Sequence, residues 1–93
     1  MFLFSPEKNS KLKEERCISF EEIIAAIEDG FLLDIIEHPN QAKYQKQKIY
    51  VVYAKEYVYL VPFVENAKDG CVFLKTIIPS RIAKQTYINE FMP

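Results

Sequence analysis

The chain has 93 residues, 49% of them apolar, with 6 tyrosines, 7 phenylalanines, 2 glycines and 5 prolines, a composition that belongs to one packed domain spanning residues 1–93 and excludes a disordered chain. The net charge of −1 at pH 7 argues against a dedicated nucleic-acid binder, since phosphate contacts supply most of that affinity, yet residues 1–40 carry −5 and residues 41–93 carry +4, which predicts an acidic and a basic side. No apolar run approaches the roughly 18 residues of a membrane span, and the apolar start meets Ser5-Pro6-Glu7 too soon for a signal peptide, so a cytoplasmic protein is expected, with Cys17 and Cys71 as reduced apolar fillers.

Ser5-Pro6-Glu7 supplies a hydroxyl N-cap, proline at the first helical position and an acid in the first turn, predicting a surface helix from about Pro6 to Glu15. Its apolar content is little more than Leu12, so it must depend on its neighbours. Ser19-Phe20-Glu21-Glu22 is a capping box with Ile18 and Ile23 as its staple. Phe20, Ile23, Ile24 and Ile27 then form the buried stripe of a second helix that Asp29-Gly30 ends.

Phe31 to Ile36 reads as a strand stopped by Glu37-His38-Pro39-Asn40. Ten polar residues, His38 to Gln47, form a loop of the length that is functional or mobile in compact domains. Lys48–Ala54 and Tyr57–Glu65 form a hairpin about a tight turn at Lys55-Glu56. Pro62 cannot donate to a ladder and marks an edge, a bulge or an amide that points away. After a loop at Asn66–Gly70, Cys71 to Ile78 reads as one strand, and Pro79-Ser80 opens a last helix whose Ile82, Ala83, Tyr87, Ile88 and Phe91 can cover the sheet. The fold class is α+β: two N-terminal helices, an antiparallel meander of about four strands and a C-terminal helix. Strands apolar on both faces need two covers, and with one layer of helices the tyrosines are expected to border the far face.

Three blocks resemble the BrnT toxin family of bacterial type II toxin–antitoxin pairs. Phe2, Phe4, Ser5 and Lys8 stand in its aromatic, acidic and lysine-bearing first cluster. Ile18-Ser19-Phe20-Glu21-Glu22 matches the start of its second helix, and Ile77-Ile78-Pro79-Ser80-Arg81-Ile82-Ala83-Lys84 matches its Ile-Ile-Ser-Ala-Arg segment. Phe4 replaces a tryptophan, Ser5 an aspartate and Cys17 a glycine, while Leu74 and Thr76 occupy usual basic positions. The resemblance implies a RelE-like sheet, a metal-independent ribonuclease without cofactor that arrests translation, and a ribbon-helix-helix antitoxin encoded next door.

RNA cleavage without metal needs a base for the 2′-hydroxyl, an acid for the leaving oxygen and cations for the phosphate. Arg81 is the first candidate, because a guanidinium holds two phosphate oxygens at once; pairing with an acid at a helix start is its structural alternative. Lys75 and Lys48 follow as catalytic candidates, against roles as solvated lysines. His38, the single histidine, suits proton transfer near neutral pH, and Glu37 adjoins it; capping a turn competes for His38. Lys8 and Lys84 are expected to contact RNA, and Tyr50 or Tyr53 to stack a base, against core or rim packing. The rival to the nuclease is a degenerate relative that only binds protein. An apolar, tyrosine-rich face leaves room for a homodimer or the antitoxin.

Overall fold

A computed structural model describes residues 1–43 and 47–91, and the side chains through Ile88. The elements in chain order are β1 (Phe2–Leu3), α1 (Pro6–Arg16), α2 (Phe20–Glu28), β2 (Leu32–Glu37), β3 (Lys48–Ala54), β4 (Tyr57–Glu65), β5 (Val72–Leu74), β6 (Ile78–Pro79) and α3 (Arg81–Phe91). The expected α+β order is observed, with a sheet ordered β1-β5-β4-β3-β2 and β6 beside β4. Tyr44, Gln45 and Lys46 of the expected polar loop, and the Phe91 side chain expected over the sheet, lie outside the described residues.

Both N-terminal helices start where their caps dictate. The Ser5 hydroxyl accepts from the Lys8 amide at 3.2 Å, and Ser19 with Glu22 closes a reciprocal capping box. The α2 end is a Schellman motif, in which the Gly30 amide meets the Ile27 carbonyl and the Phe31 amide the Ala26 carbonyl, with Gly30 at φ +92° as the left-handed turn requires. Helix α1 buries Leu12 and, less expectedly, Asn9. The Asn9 amide oxygen accepts from the Phe20 N–H at 2.8 Å while its nitrogen donates to Glu21, so a polar bridge fastens a helix that apolar area alone would hold weakly. Cys17 follows α1 at φ 55° and is exposed, so of the two thiols it is not an apolar filler.

Register assigns the side chains of the β3–β4 hairpin. Tyr50, Val52 and Ala54 stand opposite Val61, Tyr59 and Tyr57 and pack against Leu12, Phe20, Ile23 and Ala26 of α1 and α2. The alternate residues Val51 and Val58 pack with Ala83, Tyr87 and Ile88 of α3. The helices therefore form two layers, one on each face, which corrects the expectation of a single layer. Helix α3 begins at the sheet margin, where the Ser80 amide donates to the Val58 carbonyl at 3.0 Å, and crosses to β2, where the Tyr87 hydroxyl donates to Asp34 at 2.8 Å.

The single strand expected from Cys71 to Ile78 is divided, and Pro62 supplies the reason. Within a strand a residue's N–H and C=O point the same way. The Pro62 carbonyl accepts from the Lys75 amide at 2.8 Å, so its absent N–H faces the same neighbour and no reciprocal bond can form. Pairing with β4 stops after Leu74, opposite Phe63, and resumes at Ile78, opposite Leu60. Between them Ile77 turns into the core, its carbonyl accepting from the Arg16 guanidinium. The apolar start adds β1 parallel to β5, which makes the sheet mixed and corrects the expectation of a wholly antiparallel meander.

Lys55 and Glu56 both adopt positive φ, 51° and 62°, the geometry of a two-residue type I′ turn that usually selects asparagine and glycine. Each such residue costs about 1–3 kcal/mol. Lys55 is held there by Glu22 at 2.6 Å and by the Cys17 carbonyl at 2.8 Å. Glu56→Gly is expected to stabilise the protein by ~1 kcal/mol, read as a rise in Tm of about 4–8 °C; an unchanged Tm would mean that the turn is not strained.

Burial works to raise the Glu22 carboxyl, and hydrogen bonds from Lys55 and Ser19 outweigh it, leaving the group below its ordinary 4.5. A folded pKa below the unfolded one stabilises the protein fully above the unfolded value, and that stability is lost as pH falls through the folded one. Stability should therefore decline below about pH 4.5, and Glu22→Gln should make the acid limb of a urea-midpoint profile shallower.

Candidate functional site

The interruption at Pro62 opens the surface. Lys75 and Thr76 leave the ladder and, with Pro62 and Ile78, wall a hollow of about 350 Å³ that His38 and Gln47 close from the other side. His38 follows the last residue of β2, and its backbone N–H donates to the Gln47 carbonyl at 3.1 Å. The Gln41 amide nitrogen donates to the carbonyls of His38 at 2.7 Å and Gln47 at 3.3 Å. Asn40 Oδ1 accepts from the Lys43 amide at 3.1 Å. The described part of the polar loop is thus a side-chain-braced turn, and it sets the imidazole at the rim.

The imidazole is bonded through one ring nitrogen to the loop that follows it. Nδ1 of His38 accepts from the backbone N–H of Asn40 at 3.1 Å, so in the neutral ring the proton resides on Nε2, a donor. Across the hollow the Lys75 ammonium lies 5.7 Å from the Phe73 ring centroid, within cation–π range.

The other catalytic candidates divide. Glu37 and Lys48 are register partners at the same end of the sheet. Lys48 shares its face with Tyr50, however, whereas Pro62 stands opposite Ile49 on the other face, so alternation points Lys48 and Glu37 away from the hollow. Arg81 and Lys84 line a different hollow, of about 280 Å³, with Tyr57 and Gln85; there the Lys84 ammonium sits 5.0 Å from the Tyr57 ring centroid. Tyr57 and Pro62, which border the two hollows, are five residues apart on β4, ~17 Å along the strand. The expected convergence of Arg81 with Lys75 and His38 is not observed, because α3 starts beside Tyr59 and Val58 rather than beside Pro62. Lys8 is on α1, which packs on the face of the sheet opposite Pro62.

Tyr50 is corrected from a base-stacking residue to a core residue. It is 8% exposed, its ring stacks on Phe63 at 3.8 Å, and Phe2 meets it edge-on at 6.2 Å; burial raises its phenol pKa. Tyr53 is half-buried, supports α3 and tilts against Phe31 at 6.0 Å, which is rim packing. Sequence reasoning missed Gln47, Thr76 and Tyr57 as lining groups. The one available signal was Pro62, whose missing donor locates the gap. Among the described residues no three His, Cys, Asp or Glu side chains gather into a metal-holding group, and no helix is long and apolar enough to cross a membrane.

In comparisons with protein-family models, curated proteins and solved structures, nothing matches this chain.

The tautomer is directly measurable. Nitrogen-15 spectra of the neutral His38 ring should carry the proton on Nε2; a proton on Nδ1 would remove the donor assignment.

Proposed function

We propose that the chain is the toxin of a bacterial type II toxin–antitoxin pair, a divergent BrnT-like ribonuclease that cuts mRNA in the cytoplasm without a metal. The observation that carries this reading is the meeting of His38 and Lys75, with Gln47 and Thr76, in one hollow. Two features support the family resemblance. The order of helices and strands is that expected of it, and Cys17, which stands where the family has glycine, adopts the left-handed φ of 55° that favours glycine.

In this reading the RNA 2′-oxygen attacks the adjacent phosphorus, a 2′,3′-cyclic phosphate forms as the bond from phosphorus to the 5′-oxygen breaks, and the 5′-oxygen leaves as a hydroxyl with a proton from solvent water. The 2′ proton passes to solvent water. His38 Nε2–H donates to the oxygen on which charge builds, and Lys75 neutralises the phosphate; such preorganised donors supply the largest share of catalysis in sites of this kind. Gln47 and Thr76 orient the backbone. A ribbon-helix-helix antitoxin would silence the protein by covering exposed surface.

A second reading, a catalytically degenerate module that binds protein, is favoured by the separate hollows that Arg81 and Lys75 line and by the burial of Tyr50. Induction in cells separates the two. The ribonuclease reading expects growth arrest and RNA breaks, cleavage by purified protein undiminished in EDTA, and loss of at least tenfold in cleavage rate for Lys75→Ala at unchanged Tm. Full activity in Lys75→Ala would remove the hollow from the mechanism. Absence of both arrest and RNA breaks on induction of the unmodified chain would favour the binding module.

A further inference from the structure

Strand β2 is the outer strand of the sheet, and among the described residues only β3 pairs with it. The His38 amide points toward β3, to Gln47, so by alternation the amides of Glu37 and Ile35 point outward. Outward amides on an edge are templates for a further strand. Here the Ile35 N–H is taken by its neighbour's carboxylate, Asp34 Oδ1, at 2.8 Å, while Asp34 Oδ2 accepts from the Tyr87 hydroxyl.

The edge is also apolar. Phe31, Leu33 and Ile35 are 47%, 36% and 50% exposed, an uncommon density of large side chains for one short segment. Between them and beside them stand Asp29, Asp34 and Glu37, and residues 29–37 contain no lysine or arginine.

We propose that the outer edge of β2 receives an extended, basic segment of a partner protein, which joins the sheet as an additional strand. Charge selects this occupant. A second copy of the chain would set three acids against three, and like charges facing one another across a strand pair are destabilising. An incoming strand must also replace the Asp34 carboxylate at the Ile35 amide with its own carbonyl. A lysine or arginine on that strand compensates the displaced carboxylate; a neutral or acidic strand leaves it without compensation. The Asp34 contact thus closes the edge to indiscriminate pairing and leaves it open to a cationic partner.

The edge shares no side chain with either hollow, so its test is independent of RNA cleavage. The full chain is titrated with two synthetic peptides of identical alternating apolar pattern, one bearing lysine and the other glutamate at the polar positions, and followed by amide NMR. The lysine peptide should bind at least tenfold more tightly at low salt, move the amides of residues 31–37, and lose most of its affinity in 1 M salt, where charges are screened beyond ~3 Å. Ile35→Pro deletes an outward amide and leaves the bonds to β3 intact, so it should abolish binding with the remaining spectrum unchanged. Should that variant fail to fold, the double substitution Asp34→Lys and Glu37→Lys should reverse the preference between peptides. Equal affinity for the two peptides, or no binding of the lysine peptide, would overturn the proposal. So would a dimer of the unmodified chain in sedimentation that charge reversal on β2 abolishes, since the edge would then belong to a second copy.

Discussion

The β3–β4 hairpin is apolar on both faces, and the remainder of the chain is arranged to keep water from it. Val51, Val52, Val58 and Val61 are fully buried, which is unattainable for a two-stranded ribbon by itself. One face is closed by α1 and α2 with Phe2 and Phe4, the other by α3. The hairpin in turn depends on a left-handed turn built from residues that do not favour it, and the Lys55 contacts with Glu22 and Cys17 tie that turn to the start of α2 and the end of α1. Capping, turn geometry and an ion pair therefore converge on one corner of the molecule.

At the opposite end of β4 a missing hydrogen-bond donor governs the structure. Pro62 ends the ladder after β5, so the chain swings Ile77 into the core and leaves Lys75 and Thr76 facing His38 and Gln47. A gap in pairing provides a concavity at that point, and polar groups on irregular backbone line it. The Asn40 amide orients the imidazole through Nδ1. Arg81 and Lys84 line the other hollow, beside Tyr57 and Gln85.

Charge is distributed to match. The acids of residues 29–37 line the outer strand, whereas Lys75, Arg81 and Lys84 of the carboxyl half line the two hollows, and the small net charge conceals both surfaces. The cationic hollows and the acidic edge thus occupy different parts of the same molecule. Tyr87, bonded to Asp34, connects α3 to the acidic edge.

The elements themselves were legible in the residues, because caps, proline and strand patterning act locally. The hydroxyl caps at Ser5 and Ser19, glycine at position 30 and the β3 and β4 limits follow from interactions within a few positions. Asn9 as a polar bridge, the short β1 strand and the division of Cys71–Ile78 were not legible, since each depends on a partner far along the chain. The candidate site was read in part: His38 and Lys75 meet, but Arg81 stands apart and Tyr50 is core. Residue type announces what a side chain can do, whereas strand register and the face on which a helix lands decide what it can reach. The sequence alone determined the elements and the division of charge; the tertiary structure decided which cations share a hollow, because one absent N–H at Pro62 and the landing point of α3 are settled only when strands pair.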